Sequence, residues 1–409
     1  LKPSLKKFLK AVQASYKCNI QYKNIGGKEM IKSYKVRLEP NKQQEQQMFF
    51  QAGCARHVYN WCLAFQKSRY EDENIPKKER FIPSKGLSKY FTAYKKQEGN
   101  EWLKNCDSMV LVTAYMDGCN AFKNFFKRPE VGYPRFKSKN KTTPAFAPNY
   151  QAVKISENQV KLPKIGIVKL SRKNYIPIVK KYSNPRVTYD GLHWYISVGV
   201  EQEDYKPELN PTVLGVDLGI KDLAIVSDGT VYKNINKTAE MKKLEKRLKR
   251  LQRQVSKKYD MNKDGKVYHK TNNIIKLEKQ ILKLQHRIRD IRNNYRHTIT
   301  HQLVEKKPQK IVIEDLNVKG MMKNKHLSDA IGKQGFFEIQ RQLQYKTQEY
   351  GIELVMADRW YPSSQTCSKC GHTRTGKDRL KLKDRTFTCP ECGHTMDRDL
   401  NAAINLSQY

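Results

Sequence analysis

Long apolar runs are missing from this chain. No uninterrupted stretch approaches the ~18 residues that a membrane span requires. The opening residues, LKPSLKKFLKAVQASYKCNIQYK, break every apolar cluster with lysine and do not read as a secretory signal. An even cysteine framework is missing too. Nine cysteines occur, and Cys18, Cys54, Cys62, Cys106 and Cys119 are scattered through the first third. They are expected to be small buried thiols in a reducing, cytoplasmic compartment. No GxxxxGK[ST] phosphate loop is present. Acidic charge is scarce, with 40 Asp and Glu against 79 Lys and Arg, a formal net charge of +39 over 409 residues. Solubility alone asks for only ~2–8 in a small domain. An excess this large repels itself unless a polyanion neutralises it. Nucleic acid is therefore the expected partner, and a membrane is not.

The chain length suits two or three domains at ~150 residues each. Residues 1–29 read as an extension. A strand is expected to end at Pro40, followed by a helix that Asn41 caps and that carries Met48, Cys54, Val58, Tyr59 and Cys62 at helical spacing. A further helical stretch is expected from about Trp102 to Phe126. These helices serve as an ordinary core or as a grip on nucleic acid, with Arg56, Lys67, Arg69, Lys123 and Lys127 on phosphates. From residue 129 to about 205 the signals are short strands, including a hairpin at Asp190-Gly191. A small barrel or curled sheet fits them, joined by the strand before Pro40, with the helices inserted. In the loops, Tyr133, Phe136 and Tyr150 are candidates for base stacking or for packing.

After a linker at 207–211 comes a buried strand carrying Asp217, a glycine turn at Gly219 and a second apolar strand. Residues 236–306 show leucines and isoleucines at steps of three and four, from Leu244 to Ile291, the seam of an antiparallel helical hairpin. Between its arms, Asp260, Asn262, Asp264 and Gly265 mimic half of a calcium loop, but Thr271 stands where a bidentate Glu is needed, so a turn is expected. Two more apolar segments follow, one ending in Glu314-Asp315 and one running from Ile352 to Asp358. An amphipathic helix over 335–350 lies between them, stopped by Gly351.

The last segment combines two features. Cys367, Cys370, Cys389 and Cys392 form two C-x-x-C knuckles with eighteen residues between them, a spacing that closes a structural tetrahedral Zn²⁺ site. The intervening Arg374, Lys377, Arg379, Lys381, Lys383 and Arg385 make the zinc segment, residues 361–396, a basic finger. Then Asp397-Arg398-Asp399 opens a helix of small residues. Asp217, Glu314 and Asp399 thus sit at comparable places on two strands and a helix. Like charges held close need a cation, and oxygen-only ligands without nearby His suit Mg²⁺ or Mn²⁺. Two such ions assist phosphodiester hydrolysis. The order Asp, Glu, Asp resembles that of RuvC-type RNase H-like nucleases. Gly215-Val-Asp217-Leu-Gly219 also resembles the opening of actin-like ATPases, but no later glycine-rich nucleotide motif follows.

The blocks GVDLGIKDLAIVSDG, IVIEDLNVKGM, ADRWYPSSQTCSKCG, CPECG and DRDLNAAINL resemble the hallmark blocks of TnpB, the transposon-encoded RNA-guided DNA nuclease related to type V CRISPR effectors. YKVRLEPNKQQ, GCARHVYN and YPRFKSK resemble its amino-terminal half. The resemblance implies a multidomain α+β protein. A small wedge β-barrel would be formed by residues 30–45 and 129–205, with a helical recognition module, 46–128, inserted. A RuvC-like nuclease domain would span 206–409 and carry the hairpin and the zinc ribbon. It implies a monomer bound to a guide RNA, nucleoid-associated in a prokaryote, that recognises a short motif beside a double-stranded DNA target and cuts both strands. By motif matching, Asp217, Glu314 and Asp399 would be catalytic, with Mg²⁺ or Mn²⁺. Family analogy places motif contacts near Asp107–Thr113, Ser108 among them, and near Asn149, Tyr150 and Gln151. Arg56 from the helices and Arg374, Lys377 and Arg379 from the finger, which is expected to position substrate, are further candidate nucleic-acid contacts. A nuclease-inactive RNA-guided repressor and a CRISPR-adopted type V effector are the alternatives. The three acids favour a live enzyme.

Overall fold

The computed structural model describes residues 29–203, 206–265, 267–381 and 384–409. The expected extension, with Cys18, lies outside the described residues except for Glu29, and so does Lys383. The chain divides into two compact units, with the boundary between residues 203 and 204.

In the first unit, β1 (Glu29–Glu39) buries Val36 and Leu38 while Lys35 and Glu39 stay exposed, the alternation of a half-wet strand. Pro40 ends it. Asn41 then opens α1 (Lys42–Glu71) with a capping box, its side chain accepting from the Gln44 N–H while the Gln44 side chain accepts from the Asn41 N–H. α2 (Ser84–Lys96) is a helix the sequence reading passed over, although Leu87, Tyr90, Phe91 and Tyr94 fall at helical spacing; of these Leu87 and Phe91 are buried. The stretch expected as one helix from Trp102 is broken. Glu101–Asn105 is a 3-10 turn, and α3 (Ser108–Lys127) starts afresh where Asp107 caps it. α3 lies close on α1, since a Cβ on Gly118 would stand 2.8 Å from Cys62 Sγ. Cys54, Cys62, Cys106 and Cys119 are all buried there as free thiols.

The remaining strands are β2 (Ala145–Phe146), β3 (Lys154–Ile155), β4 (Gln159–Leu162), β5 (Gly166–Leu170), β6 (Ser183–Tyr189) and β7 (Trp194–Glu203). They form one antiparallel sheet in the order β2-β6-β7-β1-β5-β4-β3. β1 sits at its centre, so the strand before Pro40 does join the later strands, and α1 to α3 are the insertion. Among the described residues the end strands β2 and β3 do not pair with each other, so hydrogen bonding leaves a curled sheet open rather than closing the expected barrel.

The second unit is built on a five-stranded sheet. Its strands are β8 (Asn210–Leu218), β9 (Asp222–Val226), β10 (Val231–Lys233), β13 (Pro308–Glu314) and β14 (Glu353–Ala357), in the order β10-β9-β8-β13-β14. β8 pairs antiparallel with β9 but parallel with β13, which is parallel to β14. Between β10 and β13 runs a helical hairpin, α4 (Ala239–Met261) and α5 (Asn272–Glu305). Its seam is the leucine and isoleucine set read from the sequence. The antiparallel register is held by Tyr259 donating to Glu278 at 2.6 Å and Arg292 pairing with Glu245 at 2.5 Å. The turn joins β11 (Lys263–Asp264) to β12 (Val267–Tyr268), and Thr271 caps α5. After β13 come α6 (Val318–Met321), α7 (Ser328–Gln334) and α8 (Phe336–Tyr350), the last bounded by Gly335 and Gly351 at positive φ. A small hairpin, β15 (Thr386–Thr388) and β16 (Thr395–Asp397), leads into α9 (Arg398–Ser407).

Strand alternation sorts the faces of this sheet. Leu214, Val216 and Leu218 of β8 and Ile311 and Ile313 of β13 pack with Ile299 and Leu303 of α5 and Leu343 of α8. Val312 points the other way, onto Leu406 of α9. Gly215 also faces α9, where a Cβ would stand 2.0 Å from the Ala403 carbonyl oxygen and 2.4 Å from the Ser407 nitrogen. Only glycine lets the helix lie this close to the strand.

Candidate active site

The same alternation delivers the acids. Asp217 lies two residues beyond Gly215, and Glu314 two beyond Val312, so both project from the α9 face. Val216 is in register with Ile313, which makes the two acids neighbours on adjacent parallel strands. α9 brings Asp399 to the same place in its first turn. All three line one cleft of about 640 Å³ in the second unit, together with Ser363, Arg385 and Arg398.

The electrostatics of the cleft are those of crowded anions. Burial raises the Asp217 carboxyl well above its ordinary range, and repulsion from Glu314 and Asp399 adds to the rise. Burial also raises Glu314, against the pull of the Ser363 hydroxyl, which donates to it at 2.7 Å. Asp399 is balanced by cations, with Arg398 donating at 2.8 Å and 3.0 Å and Arg385 forming an ion pair at 3.6 Å. Asp397 has another duty. Its carboxylate accepts from the N–H groups of Asp399 and Leu400 and so caps α9.

The cysteines meet as their spacing requires. The ligand atoms of Cys367, Cys370, Cys389 and Cys392 all lie within 4.8 Å of one another, with Cys367 and Cys392 sulfurs 3.7 Å apart and Cys370 and Cys389 sulfurs 3.5 Å apart. Ligands at ~2.3 Å in a tetrahedron stand about 3.8 Å apart, so the set fits Zn²⁺. The backbone N–H of Cys392 draws the Cys389 thiol down to about 6, towards the thiolate that binds metal. His372 and His394 lie outside the cluster, His372 beside Glu391 and His394 on the Met396 sulfur.

Three residues that the sequence reading passed over join the metal knuckles to the acids. Asn401 donates to the Thr366 carbonyl at 2.6 Å and accepts from the Ser368 N–H. Asn405 donates to the Ser363 and Thr366 carbonyls at 2.7 Å and 2.6 Å. Both asparagines are buried, and they fasten the loop that presents Ser363 to Glu314. Two Asn at i, i+4 on a helix of small residues were the signal available.

The other predicted contacts fall into two groups. In the finger, Lys377 and Arg379 are exposed, while Arg374 is committed to the carbonyls of Asp378 and Thr388. In the first unit, the structure brings Asp107 and Asn149 together. The Asp107 carboxylate accepts from the Met109 N–H on one oxygen and the Asn149 N–H on the other. Asn149 accepts from the Gln151 N–H, and the Gln151 side chain donates to the Tyr150 hydroxyl at 3.3 Å. Ser108 is exposed beside them. Arg56 lines a small cavity with Thr113, Asp117, Lys137 and Arg186. Lys67 pairs with Glu71 at 3.6 Å and Arg69 donates to the Glu79 carbonyl, which occupies two of the other expected phosphate partners.

This arrangement was compared with known proteins. An Escherichia coli K12 protein whose name describes an RNA-guided DNA endonuclease, InsQ, is 32% identical over 394 residues, spanning 92% of this chain and 91% of its own. The chain belongs to the TnpB family. A similarly named TnpB-like relative from Streptomyces pristinaespiralis is 30% identical over 92% of this chain and 89% of its own length. Residues 195–325 match the family described as a probable transposase, and residues 336–406 the Cas12f1-like TNB domain. Residues 30–74 match a helix-turn-helix domain, although in this TnpB member they fold as the strand β1 and the single long helix α1. Among solved structures, that of a Cas12f1–sgRNA–target DNA complex aligns with TM-score 0.56 at 16% identity, covering 89% of this chain and 82% of that one. The mixed α/β fold is therefore shared.

Proposed function

We propose that this protein is an RNA-guided DNA endonuclease that cuts both strands of a target at the cleft of its second unit. The carrying observation is the convergence of Asp217, Glu314 and Asp399 from three separate elements onto one cleft. A sheet whose first strand is flanked by an antiparallel β9 and a parallel β13, with the acids on the face covered by α9, supports an RNase H-like, RuvC-type reading.

The acids would hold Mg²⁺ or Mn²⁺. Their donor set is all oxygen, and burial raises two of the carboxyls, Asp217 also through its acidic neighbours, a cost that a cation relieves. Three carboxylates on one cleft would offer ligands to two such ions, ~3.5–4 Å apart in sites of this chemistry. When bound, such ions polarise the phosphate and activate water. Asp217 and Glu314 would hold the ions from the rigid sheet, with Ser363 orienting Glu314. Arg398 would release or share Asp399 as cations enter. Cys367, Cys370, Cys389 and Cys392 would hold Zn²⁺ as a structural clip that fixes the Ser363 loop. The curled sheet and the helices of the first unit would serve as wedge and recognition elements for guide RNA and the target-adjacent motif, near Asp107, Asn149 and Arg56. Specificity would then come from base pairing, with the protein reading backbone shape. Among the described residues no helix is long and apolar enough to cross a membrane.

The test is a supercoiled plasmid bearing the target, with guide RNA and Mg²⁺. The wild type should give linear product, and Asp217→Ala, Glu314→Ala and Asp399→Ala should each leave supercoiled DNA while binding it normally. Stable binding by the wild type without cutting would instead favour the repressor reading.

A further inference from the structure

The helical part of the first unit carries an aromatic pocket that the cutting chemistry does not use. It has a volume of about 250 Å³ and is lined by Phe81, Phe122, Phe125, Phe126, Tyr133 and Arg80, among others. Phe122 is buried and forms the floor, whereas Phe126 and Tyr133 are 54% and 51% exposed at the rim. The rings brace one another. Phe81 and Phe126 meet edge to face at 5.8 Å, Phe122 and Tyr133 at 5.6 Å, and Phe125 and Tyr133 at 5.5 Å. Arg80, which also lines the pocket, donates to the Ile75 and Tyr70 carbonyls at 2.9 Å and 3.1 Å, so its guanidinium is fixed there.

What sets the Phe126 and Tyr133 rings apart from other exposed aromatics is that they rim a concavity floored by a buried ring, a shape that fits something flat and apolar-faced. The setting selects the occupant. Lys123, Lys127 and Arg128 are exposed on the closing turns of α3, and Lys77 and Lys78 on the turn before Arg80. Of the acids in these segments, Glu71 pairs with Lys67, while Asp72, Glu73, Glu79 and Glu130 are exposed and fewer than the cations. In a chain of net charge +39 this combination of stacking faces and flanking cations fits a nucleobase with its phosphates better than an apolar peptide. Splayed bases of this kind are offered by loops, bulges and ends of folded RNA, where recognition relies on aromatic and arginine stacking. We propose that this pocket holds one unpaired base of a bound RNA, stacked against Phe126 and Tyr133, with the α3 lysines on its phosphates. The inference rests on the RNA-guided reading above and adds to it a base-capture site in the helical insertion.

The experiment uses the full chain and a short single-stranded oligouridine RNA. The controls are an abasic RNA of the same length and the matching oligodeoxythymidine. Salt is set high enough to screen surface charge. Phe126→Ala with Tyr133→Ala should weaken oligouridine binding roughly tenfold, in line with the loss of one stacked base. Phe126→Trp should retain it, and binding of the abasic RNA should not change. A 4-thiouridine in the oligomer should crosslink to the peptide containing Phe126 or Tyr133. Unchanged melting temperature of the variants shows that the helices still fold. An equal loss on abasic RNA, no loss at all, crosslinks confined to other peptides, or the same dependence with oligodeoxythymidine at higher affinity would each overturn the proposal. Plasmid cutting separates the two readings. If these variants bind and cut as wild type while Asp217→Ala does not cut, only the base pocket falls.

Discussion

At the scale of single residues, burial of the acids decides the behaviour of the site. Asp217 and Glu314 are both held above the ordinary carboxylate range by burial, and Asp217 also by its neighbours. In metal-free protein a raised carboxyl favours the folded state only while protonated. Its contribution is complete below the unfolded pKa and is lost as pH rises through the folded one. Asp217→Asn imitates the protonated form. In chelator at neutral pH it should therefore raise the melting temperature, by about 2–4 °C for each kcal/mol in a unit of this size. The difference should vanish in acid, and it should reverse when Mg²⁺ is added, because Asn ligates a cation poorly. Thermal melts over a pH series read all three. Ser363→Ala removes the hydroxyl that orients Glu314. Partners of metal ligands typically account for ~10–100-fold in metal affinity, so Mn²⁺ titration of this variant should show weakening of about tenfold with the fold intact. The three acids were legible as candidates in the sequence because each ends or opens an element. Ser363, Asn401 and Asn405 were not, since their partners lie 49, 35 and 42 residues away along the chain.

At the scale of elements, patterning identified most pieces and contacts set their limits. The seam from Leu244 to Ile291 was readable because a helix pair needs little beyond apolar residues at steps of three and four. The break before α3 was hidden. Trp102 to Cys106 carries helical composition, and only the Asp107 carboxylate, shared between Met109 and Asn149, ends one turn and starts the next helix. α2 was readable but short, its period carried by Leu87, Tyr90, Phe91 and Tyr94 within thirteen residues. The contact between β8 and α9 is the most sensitive joint. Gly215→Ala would place a methyl 2.0 Å from the Ala403 carbonyl oxygen, against backbone that cannot rotate away. Overpacking typically costs about 1–3 kcal/mol, and here α9 must shift and carry Asp399 with it. Calorimetry should show a destabilised second unit, and plasmid cutting should fall well below what that loss of stability alone explains.

At the scale of the whole molecule, charge sets the binding regime. With +39 formal charges, affinity for RNA or DNA should fall linearly on a log-log plot against salt. A protein neutralising six to ten phosphates loses about 10³–10⁵ in affinity between ~50 and ~200 mM salt. Filter binding with a generic duplex should reach that range. A flat salt response would mean that most of these cations are tied up within the protein, as Arg374 and Arg69 are.

Composition, periodicity and spacing by themselves determined the large basic excess that a polyanion would neutralise, the four-cysteine clip and the strands and helices that carry the acids. These depend on residue type and local repeat, which a linear chain displays. Tertiary structure alone decided that Asp217 and Glu314 share a face in register, that Gly215 admits α9 and its Asp399, and that two buried asparagines tie the clip to the acids. It also left the seven-stranded sheet open at β2 and β3 and shaped the aromatic pocket beside α3. Each of these is a contact between residues far apart in sequence. Its energy exists only once the sheet has brought them together, so no local pattern encodes it.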